Sequence, residues 1–396
     1  MATNVDRAPL SEIFGRDALA QQVWQTLTEK SIVLTAERRM GKTYLLFKLW
    51  GEVEQNQQNW VQGWQCLYQD LSKCSTPLEF VQSVFDEAQG LLSMRKKTAI
   101  QTKQFLSTFQ DLKLGSMQLP KSAVPEWKKI LRSIFADLSK ELSADRVLFL
   151  WDEFPVMLDE IIRREGGELA AEEILNLLHS LRAEYPRIKM ILTGSVGLHH
   201  VFSKLRASGY NNPVTNDMEV LSLPPLEIGF AVELAKSRLM QLESLQVKDL
   251  VRTAEAIAQE VDGIPYYIVE VIRRCRYEGV AIDTAVIQRM VRISLVDADN
   301  RWHMAHYLDR IGNYYGVEKS ELVRSILDTV ATEGAMNTQE IVKFLQATHE
   351  SPIPEQSIRD LLKLLEQDHY LMKDSENFKY QFRYSLIQRY WQVQRS

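Results

Sequence analysis

A phosphate-binding pattern lies near the N-terminus of the chain. Residues 36–43 have the sequence AERRMGKT and follow the short apolar run 31–34. In the pattern G-x-x-x-x-G-K-[ST], backbone N–H groups surround phosphate, the lysine reaches the β- and γ-phosphates and the hydroxyl ligates Mg²⁺. Gly41, Lys42 and Thr43 match, whereas alanine replaces the first glycine. The alternative is a chance GKT at a helix start. We predict that the nucleotide contacts come from Ala36, Glu37, Arg38, Arg39, Met40, Gly41, Lys42, Thr43 and Tyr44.

Two adjacent acids follow a second apolar run, in the stretch RVLFLWDEFPVML at residues 146–158. The run predicts a buried strand, and Asp152 and Glu153 come at its carboxyl end. A carboxylate there can bind Mg²⁺ together with Thr43, which is the role we predict for Asp152. Glu153 can orient or deprotonate an attacking water. A solvated turn is the alternative interpretation.

A third apolar run, KMILTGSVGL at residues 189–198, ends in two hydroxyl residues. If its strand lies beside the strand of the acids, Thr193 or Ser195 can donate a hydrogen bond to the γ-phosphate or to the attacking water. Strand ends also use Ser, Thr and Gly simply to turn.

The intervening patterns predict an α/β fold with a mainly parallel sheet covered by helices on both faces. Strands are predicted over 31–35, 63–70, 147–151 and 189–193, and helices over 18–29 and 43–55, with a helical insertion at about 90–142. Beyond residue 222 the patterns are helical, over 227–242, 248–261 and 265–277. Three further helices, over 319–332, 337–347 and 354–367, precede two short runs at 370–373 and 378–384, as in a winged helix-turn-helix. We predict three domains, 1–222, 223–317 and 318–396.

Composition limits the class of protein. The chain has 396 residues, 45% of them hydrophobic and 25% charged, with a net charge of -5. This balance is typical of a globular protein and disfavours a protein that mainly coats nucleic acid or an anionic membrane. No signal peptide or membrane span is predicted, so we expect a cytoplasmic protein without membrane contact. The three cysteines have no metal-like spacing, and we interpret them as small buried residues.

Together these motifs resemble the AAA+/STAND group of P-loop ATPases, in particular the archaeal-type ATPase family of bacteria and archaea. The resembling stretches are IFGRD at 13–17, AERRMGKTYLL at 36–46, LFLWDEFP at 148–155, ILTGS at 191–195 and VDGIPYYI at 261–268. The resemblance implies an AAA+-like α/β domain, an α-helical lid domain and a C-terminal winged helix. It further implies ATP or ADP with Mg²⁺ as cofactors. Adenine contacts would come from Phe14, Gly15 and Arg16, and Pro265 would pack against the base. Asp17 departs from the usual glutamate.

An arginine that acts on the γ-phosphate has five candidates, namely Arg38, Arg39, Arg182, Arg187 and Arg206. Each of them can equally be a surface or structural arginine. In ring-forming relatives such an arginine follows the strand that corresponds to residues 189–193 here, which is called the sensor strand. The resemblance therefore favours Arg206. It would then act on the nucleotide of a neighbouring copy in a nucleotide-dependent homo-oligomer.

Three functions stay open from the sequence. The first is an ATP-hydrolysing switch that couples nucleotide state to domain arrangement or assembly with a protein partner. The second is an ATPase that loads on or remodels DNA through its winged helix. The third is a nucleotide-locked scaffold with negligible turnover. Residues 318–396 contain ten Lys or Arg and twelve Asp or Glu. Because DNA-binding domains normally carry a basic surface, this balance favours the protein partner over nucleic acid.

Overall fold

The computed structural model describes residues 12–56, 58–92, 127–141, 145–194, 197–212, 214–242, 245–348 and 352–395. The chain divides into two compact units. The first, called the sheet unit, comprises Met1–Thr35 and Lys42–Leu223. The second, the helical unit, comprises Ala36–Gly41 and Pro224–Ser396. The predicted phosphate-binding loop at 36–41 therefore groups with the helical unit, although its neighbours in sequence belong to the sheet unit.

A five-stranded parallel sheet forms the centre of the sheet unit. Its strands are β1 (Ile32–Thr35), β2 (Trp64–Asp70), β3 (Arg146–Asp152), β4 (Ile188–Thr193) and β5 (Glu219–Ser222). They lie in the order β2-β3-β4-β1-β5, and every neighbouring pair is parallel. The central strands β3 and β4 are buried along almost their whole length, which explains their continuous apolar sequences. The predicted parallel sheet is confirmed.

Seven helices surround this sheet in the described part of the unit. They are α1 (Asp17–Leu27), α2 (Lys42–Gln55), α3 (Pro77–Leu92), α4 (Trp127–Glu141), α5 (Phe154–Ile162), α6 (Gly167–Glu184) and α7 (Leu198–Ala207). Aromatic rings fill the core around Trp151, whose ring centroid lies 5.2 Å from Phe80 and 5.1 Å from Phe149. The predicted insertion at 90–142 covers the end of α3 and all of α4, and its residues 93–126 lie outside the described part.

The helical unit begins with four helices and continues into one long helix. The four are α8 (Ile228–Met240), α9 (Leu250–Glu260), α10 (Pro265–Cys275) and α11 (Thr284–Leu295). The long helix is α12 (His306–Glu333), which is interrupted at Gly316, where φ is 74°. Helices α13 (Thr338–Thr348) and α14 (Glu355–Gln367) follow, then the antiparallel pair β6 (Leu371–Lys373) and β7 (Tyr380–Phe382), and α15 (Ser385–Arg395).

Two details bear on the sequence expectations. Cys74 and Cys275 are buried, as their interpretation as small buried residues predicts, whereas Cys66 is only half-buried. None of the three forms a disulfide within the described part of the chain. Among the described residues, no helix is long and apolar enough to cross a membrane.

Candidate functional site

The loop after β1 has two residues in left-handed backbone conformation. These are Arg39, with φ of 73°, and Gly41, with φ of 88°. Gly41 adopts this conformation without strain, whereas a residue with a side chain does so at some cost. Ala36 is not among the residues with positive φ. The position of the missing glycine therefore does not require one.

The two predicted magnesium ligands are in direct contact within the sheet unit. Thr43 Oγ1, in the first turn of α2, donates a 2.6 Å hydrogen bond to Asp152 Oδ2 at the end of β3. Asp152 is buried, and burial raises the pKa of its carboxyl although the bond from Thr43 opposes that rise. The neighbouring Lys42 is also buried. A hydroxyl and a buried carboxylate in direct contact are suitable ligands for Mg²⁺, because this cation prefers oxygen donors and would balance the buried negative charge.

Glu153 begins α5 from a constrained backbone. Its φ is 55°, so the chain turns sharply between β3 and the helix. A Cβ atom built on Gly194 would lie 2.7 Å from Pro155 Cδ and 3.3 Å from Glu153 Oε2. The lack of a side chain at Gly194 thus lets the end of β4 approach α5, and it brings the Glu153 carboxylate beside the residue that follows Thr193.

Thr193 carries a buried hydroxyl at the end of β4. Its side chain is 1% exposed, and Oγ1 has no hydrogen-bond partner among the described residues. Strand β4 lies between β1 and β3, with Thr193 opposite Leu34 in the register. An unsatisfied buried hydroxyl is costly, which is typical of a group that binds something else. Ser195, the other predicted hydroxyl, lies outside the described residues.

The predicted adenine contacts divide between the units. In the sheet unit, Phe14 is half-buried, Gly15 has φ of 59°, and Arg16 precedes α1. Arg16 is buried, and burial lowers its pKa to about 10. Asp17, which departs from the usual glutamate, accepts a 2.8 Å hydrogen bond from Lys48 Nζ. This ion pair joins α1 to α2.

In the helical unit, the turn before α10 is tightly packed. Gly263 has φ of 66°, and a Cβ there would lie 2.4 Å from the Leu226 carbonyl oxygen. The Leu226 N–H also donates to the Gly263 carbonyl at 3.0 Å. Pro265 is the first residue of α10, as its lack of an N–H allows. The guanidinium of Arg39 lies 4.0 Å from the ring centre of the next residue, Tyr266. The loop arginine therefore stacks beside the turn that contains Pro265.

The structure brings to the loop one residue that the sequence interpretation missed. Arg310 of α12 forms two hydrogen bonds with Glu37, at 2.9 Å from NH1 to Oε1 and 2.8 Å from NH2 to Oε2. Both residues belong to the helical unit. One signal could have suggested such a partner, since a carboxylate inside an anion-binding loop requires a nearby cation. The sequence offers no way to choose which of its arginines supplies it.

The remaining loop residues and the arginine candidates have varied environments. Met40 is buried, whereas Tyr44 is 52% exposed on α2. Arg206 is exposed near the end of α7. Arg182 instead binds Asp217 through Nε at 2.6 Å and NH2 at 2.7 Å. Arg187 donates to the Ser139 carbonyl at 3.3 Å.

Comparison with known proteins gives the fold. No protein-family model matches the chain, and no curated protein matches it in sequence. A Walker-type ATPase of Pyrococcus abyssi has a similar structure, with a TM-score of 0.61, 19% identity, and coverage of 96% of this chain and 97% of that one. The Aeropyrum pernix ORC2 protein, solved with ADPNP and ADP, has a TM-score of 0.49, 12% identity, and coverage of 96% and 92%.

Several of the solved structures that resemble this chain are AAA+ P-loop ATPases, and archaeal proteins are prominent among these. At 19% identity, the likeness to the Pyrococcus abyssi protein shows a shared fold. The predicted resemblance to AAA+ P-loop ATPases is thus confirmed at the level of the fold.

Proposed function

We propose that the protein is a Mg²⁺-dependent ATPase that works as a molecular switch. The observation that carries this proposal is the contact between Thr43 and Asp152, two oxygen ligands joined at 2.6 Å between a phosphate-loop pattern and an acidic strand end. The buried Lys42 beside them and the unsatisfied hydroxyl of Thr193 support the same function. Thr193 Oγ1 has no hydrogen-bond partner among the described residues, so its burial is unfavourable unless a ligand compensates it.

The residues of the chain have distinct roles in this proposal. The N–H groups of 36–41 bind phosphate, Lys42 neutralises the β- and γ-phosphates, and Glu153 accepts a proton from the attacking water. Thr193 and Ser195 donate hydrogen bonds to the γ-phosphate or to that water. When bound by Thr43 and Asp152, Mg²⁺ supplies positive charge that stabilises charge developing on the phosphates. Phe14, Gly15, Arg16 and Pro265 contact the base, and Arg206 serves a neighbouring copy.

Residues 223–317 form an α-helical lid domain and residues 318–396 a winged-helix domain in this proposal, following an ATPase domain at 1–222. The interruption of α12 at Gly316 supports a boundary close to residue 317. The switch converts nucleotide state into a change of domain arrangement, or of assembly with a protein partner or with further copies of the chain.

The charges of the winged-helix candidate favour a protein partner over DNA. Arg359, on the exposed side of α14, donates a 2.9 Å hydrogen bond to Glu355 one turn earlier. Its charge is therefore offset within the same helix. A helix that reads DNA needs cations directed at phosphates, so DNA loading is the weaker alternative.

The test is ATP turnover by the purified chain, with and without duplex DNA. Lys42→Ala should abolish ATP binding, and Glu153→Gln should keep binding while slowing hydrolysis by roughly a hundredfold or more. Matched controls are Lys30→Ala and Glu160→Gln. Lys30 is exposed, Glu160 is half-buried, and each pairs with a side chain at the surface, Glu219 and Arg163 respectively. If the Lys42→Ala variant still bound ATP with micromolar affinity, the assignment of residues 36–43 as a phosphate-binding loop would be refuted.

The same assay separates the alternatives. Turnover that DNA stimulates would favour DNA remodelling, and turnover indifferent to DNA would favour the protein-controlled switch. Tight ADP binding without turnover would favour the locked scaffold.

A further inference from the structure

A buried ion pair fixes the loop acid Glu37. Its carboxylate is 1% exposed and receives both NH1 and NH2 of Arg310, whose own side chain is buried. The same guanidinium uses Nε to bind Tyr370 OH at 2.9 Å and NH2 to bind the Asp368 carbonyl at 2.9 Å. A planar fork that makes four hydrogen bonds has one favoured orientation, so Arg310 sets where Glu37 lies.

Aromatic residues of the helical unit keep Arg310 in this orientation. Its guanidinium lies 4.3 Å from the ring centre of Tyr370 and 5.2 Å from that of Tyr307. The Tyr370 hydroxyl donates to the Tyr307 carbonyl, and the Tyr315 hydroxyl donates to the Asp368 carboxylate. The arginine is thus enclosed by groups whose own positions are fixed.

The charge of Glu37 matters because it lies in a loop that should attract an anion. Burial alone would raise the pKa of Glu37, but the charge and hydrogen bonds of Arg310 hold that pKa below its usual value. The carboxylate is therefore ionised at neutral pH. Without a counter-charge it would repel phosphate in a poorly solvated place, where such repulsion is strong. Arg310 both cancels this charge and directs the carboxylate into the helical unit.

We infer that Arg310 is a positioning residue for phosphate binding, which acts by neutralising and orienting Glu37 within the loop. The inference rests on the proposed nucleotide function. It has a second consequence, because Arg310 also binds Tyr370 and Asp368 immediately before β6. Any movement of the loop on phosphate binding must change the contacts of this segment of the C-terminal region.

The test compares ADP affinity among four variants by isothermal titration calorimetry. Arg310→Met removes the charge and the fork, and should weaken ADP binding by roughly 30-fold, since an unpaired buried charge remains. Arg310→Lys keeps the charge and should lose less. Adding Glu37→Gln to Arg310→Met should restore most of the affinity, because glutamine still accepts from the Arg38 N–H, which donates to Glu37 Oε1 at 2.7 Å.

The control is Asp328→Asn, also on α12. Asp328 accepts hydrogen bonds from Trp391 Nε1 at 2.8 Å and from Arg395 NH2 at 2.7 Å, both in α15. Its substitution therefore removes comparable contacts between α12 and another helix. We expect this variant to lower the melting temperature and to leave ADP affinity unchanged. An equal loss of affinity in Asp328→Asn and Arg310→Met would reduce Arg310 to a stabilising role and overturn the inference.

A pH series gives a readout that a purely structural role would not move. In Arg310→Met, Glu37 is buried without its cation, which raises the pKa of a carboxyl. Lowering the pH from 8 to 6 should then cancel the charge, by protonation of Glu37 or of His306, whose Nε2 lies 4.0 Å from Glu37 Oε1. The difference in ADP affinity between this variant and the wild type should therefore become smaller. A difference in ADP affinity that stays constant between pH 8 and pH 6 would contradict the charge argument. If Arg310→Met does not fold, Arg310→Lys is measured instead, and it should show little pH effect because it keeps the positive charge.

The proposed function and the role of Arg310 can be refuted separately. Absence of ADP binding by the wild type would overturn the proposed function itself. Loss of binding in Lys42→Ala, together with wild-type affinity in a folded Arg310→Met, would leave the function standing and overturn the role of Arg310.

Discussion

A neutral histidine next to the loop should make the helical unit sensitive to acid. His306, at the start of α12, has Nδ1 2.5 Å from the His303 carbonyl oxygen and Nε2 4.0 Å from Glu37 Oε1. The pKa of His306 is lowered to about 4, chiefly by burial and also by the charges of Arg310 and Arg38, against the opposing effects of the His303 carbonyl and Glu37. The ring is therefore uncharged at neutral pH, so its approach to Glu37 is not an ion pair.

The magnitude follows from the difference between the folded and unfolded states. A histidine in the unfolded chain has a pKa of about 6.5, so a folded pKa of about 4 corresponds to about 3 kcal/mol of unfolding free energy. The folded state binds the proton less readily than the unfolded state. This contribution is thus fully present above about pH 6.5 and is lost as the pH falls from about 6.5 to about 4.

The assay is an NMR titration of ¹³C-labelled histidines, of which the chain has seven. His306→Asn identifies the His306 signal and keeps an amide N–H for the His303 carbonyl. We expect that signal to titrate near pH 4 in the wild type. Urea unfolding at pH 7 and pH 4.5 should show a greater acid loss of stability in the wild type than in His306→Asn. A His306 signal that titrates between pH 6 and 7 would refute the reasoning.

Three further predictions concern the sheet unit. Asp152→Asn should maintain or raise the unfolding free energy of the ligand-free chain, because burial disfavours the carboxylate. In thermal melts of this variant, Mg²⁺ and ADP should no longer raise the melting temperature. Thr193→Val should stabilise the apo chain by about 1 kcal/mol in urea unfolding and lower turnover. Gly194→Ala should cost about 1–3 kcal/mol in thermal melts through overlap with Pro155, whereas a Cβ on the control Gly90 meets nothing within 4 Å.

The sheet could be predicted because its strands are buried on both faces. Strand β3 was expected over 147–151 and occupies Arg146–Asp152, and β4 was expected over 189–193 and occupies Ile188–Thr193. Continuous burial produces continuous apolar runs, and polar residues at their ends mark where the chain leaves the sheet. The contact between Thr43 and Asp152 agrees with this topology, because Asp152 lies at the carboxyl end of β3 and Thr43 lies in the helix that follows β1.

The helical unit was less predictable where its pattern is interrupted. The helix expected over 319–332 is the second segment of α12, and the structure adds a first segment that begins at His306. Helix α11 lies in the stretch that was expected to be helical, but no range was assigned to it. Gly316 breaks the helical backbone between the two segments of α12. The segment containing Arg310 lies between the helices expected over 265–277 and 319–332, and it received no assignment. The residue with the most direct contact to the loop acid was therefore absent from the predicted site.

The departure at Ala36 is explained by the same contacts that the sequence could not reveal. The left-handed residues of the loop are Arg39 and Gly41, so no glycine is needed at the first position. The strain at Arg39 is offset by its stacking on Tyr266, and Glu37 is fixed by Arg310, 273 residues away. When contacts with distant side chains hold the conformation of a loop, the local sequence pattern can vary, and a glycine is not needed at every position of that pattern. Substitution of those distant partners should then alter phosphate binding more than substitution of Ala36 by glycine.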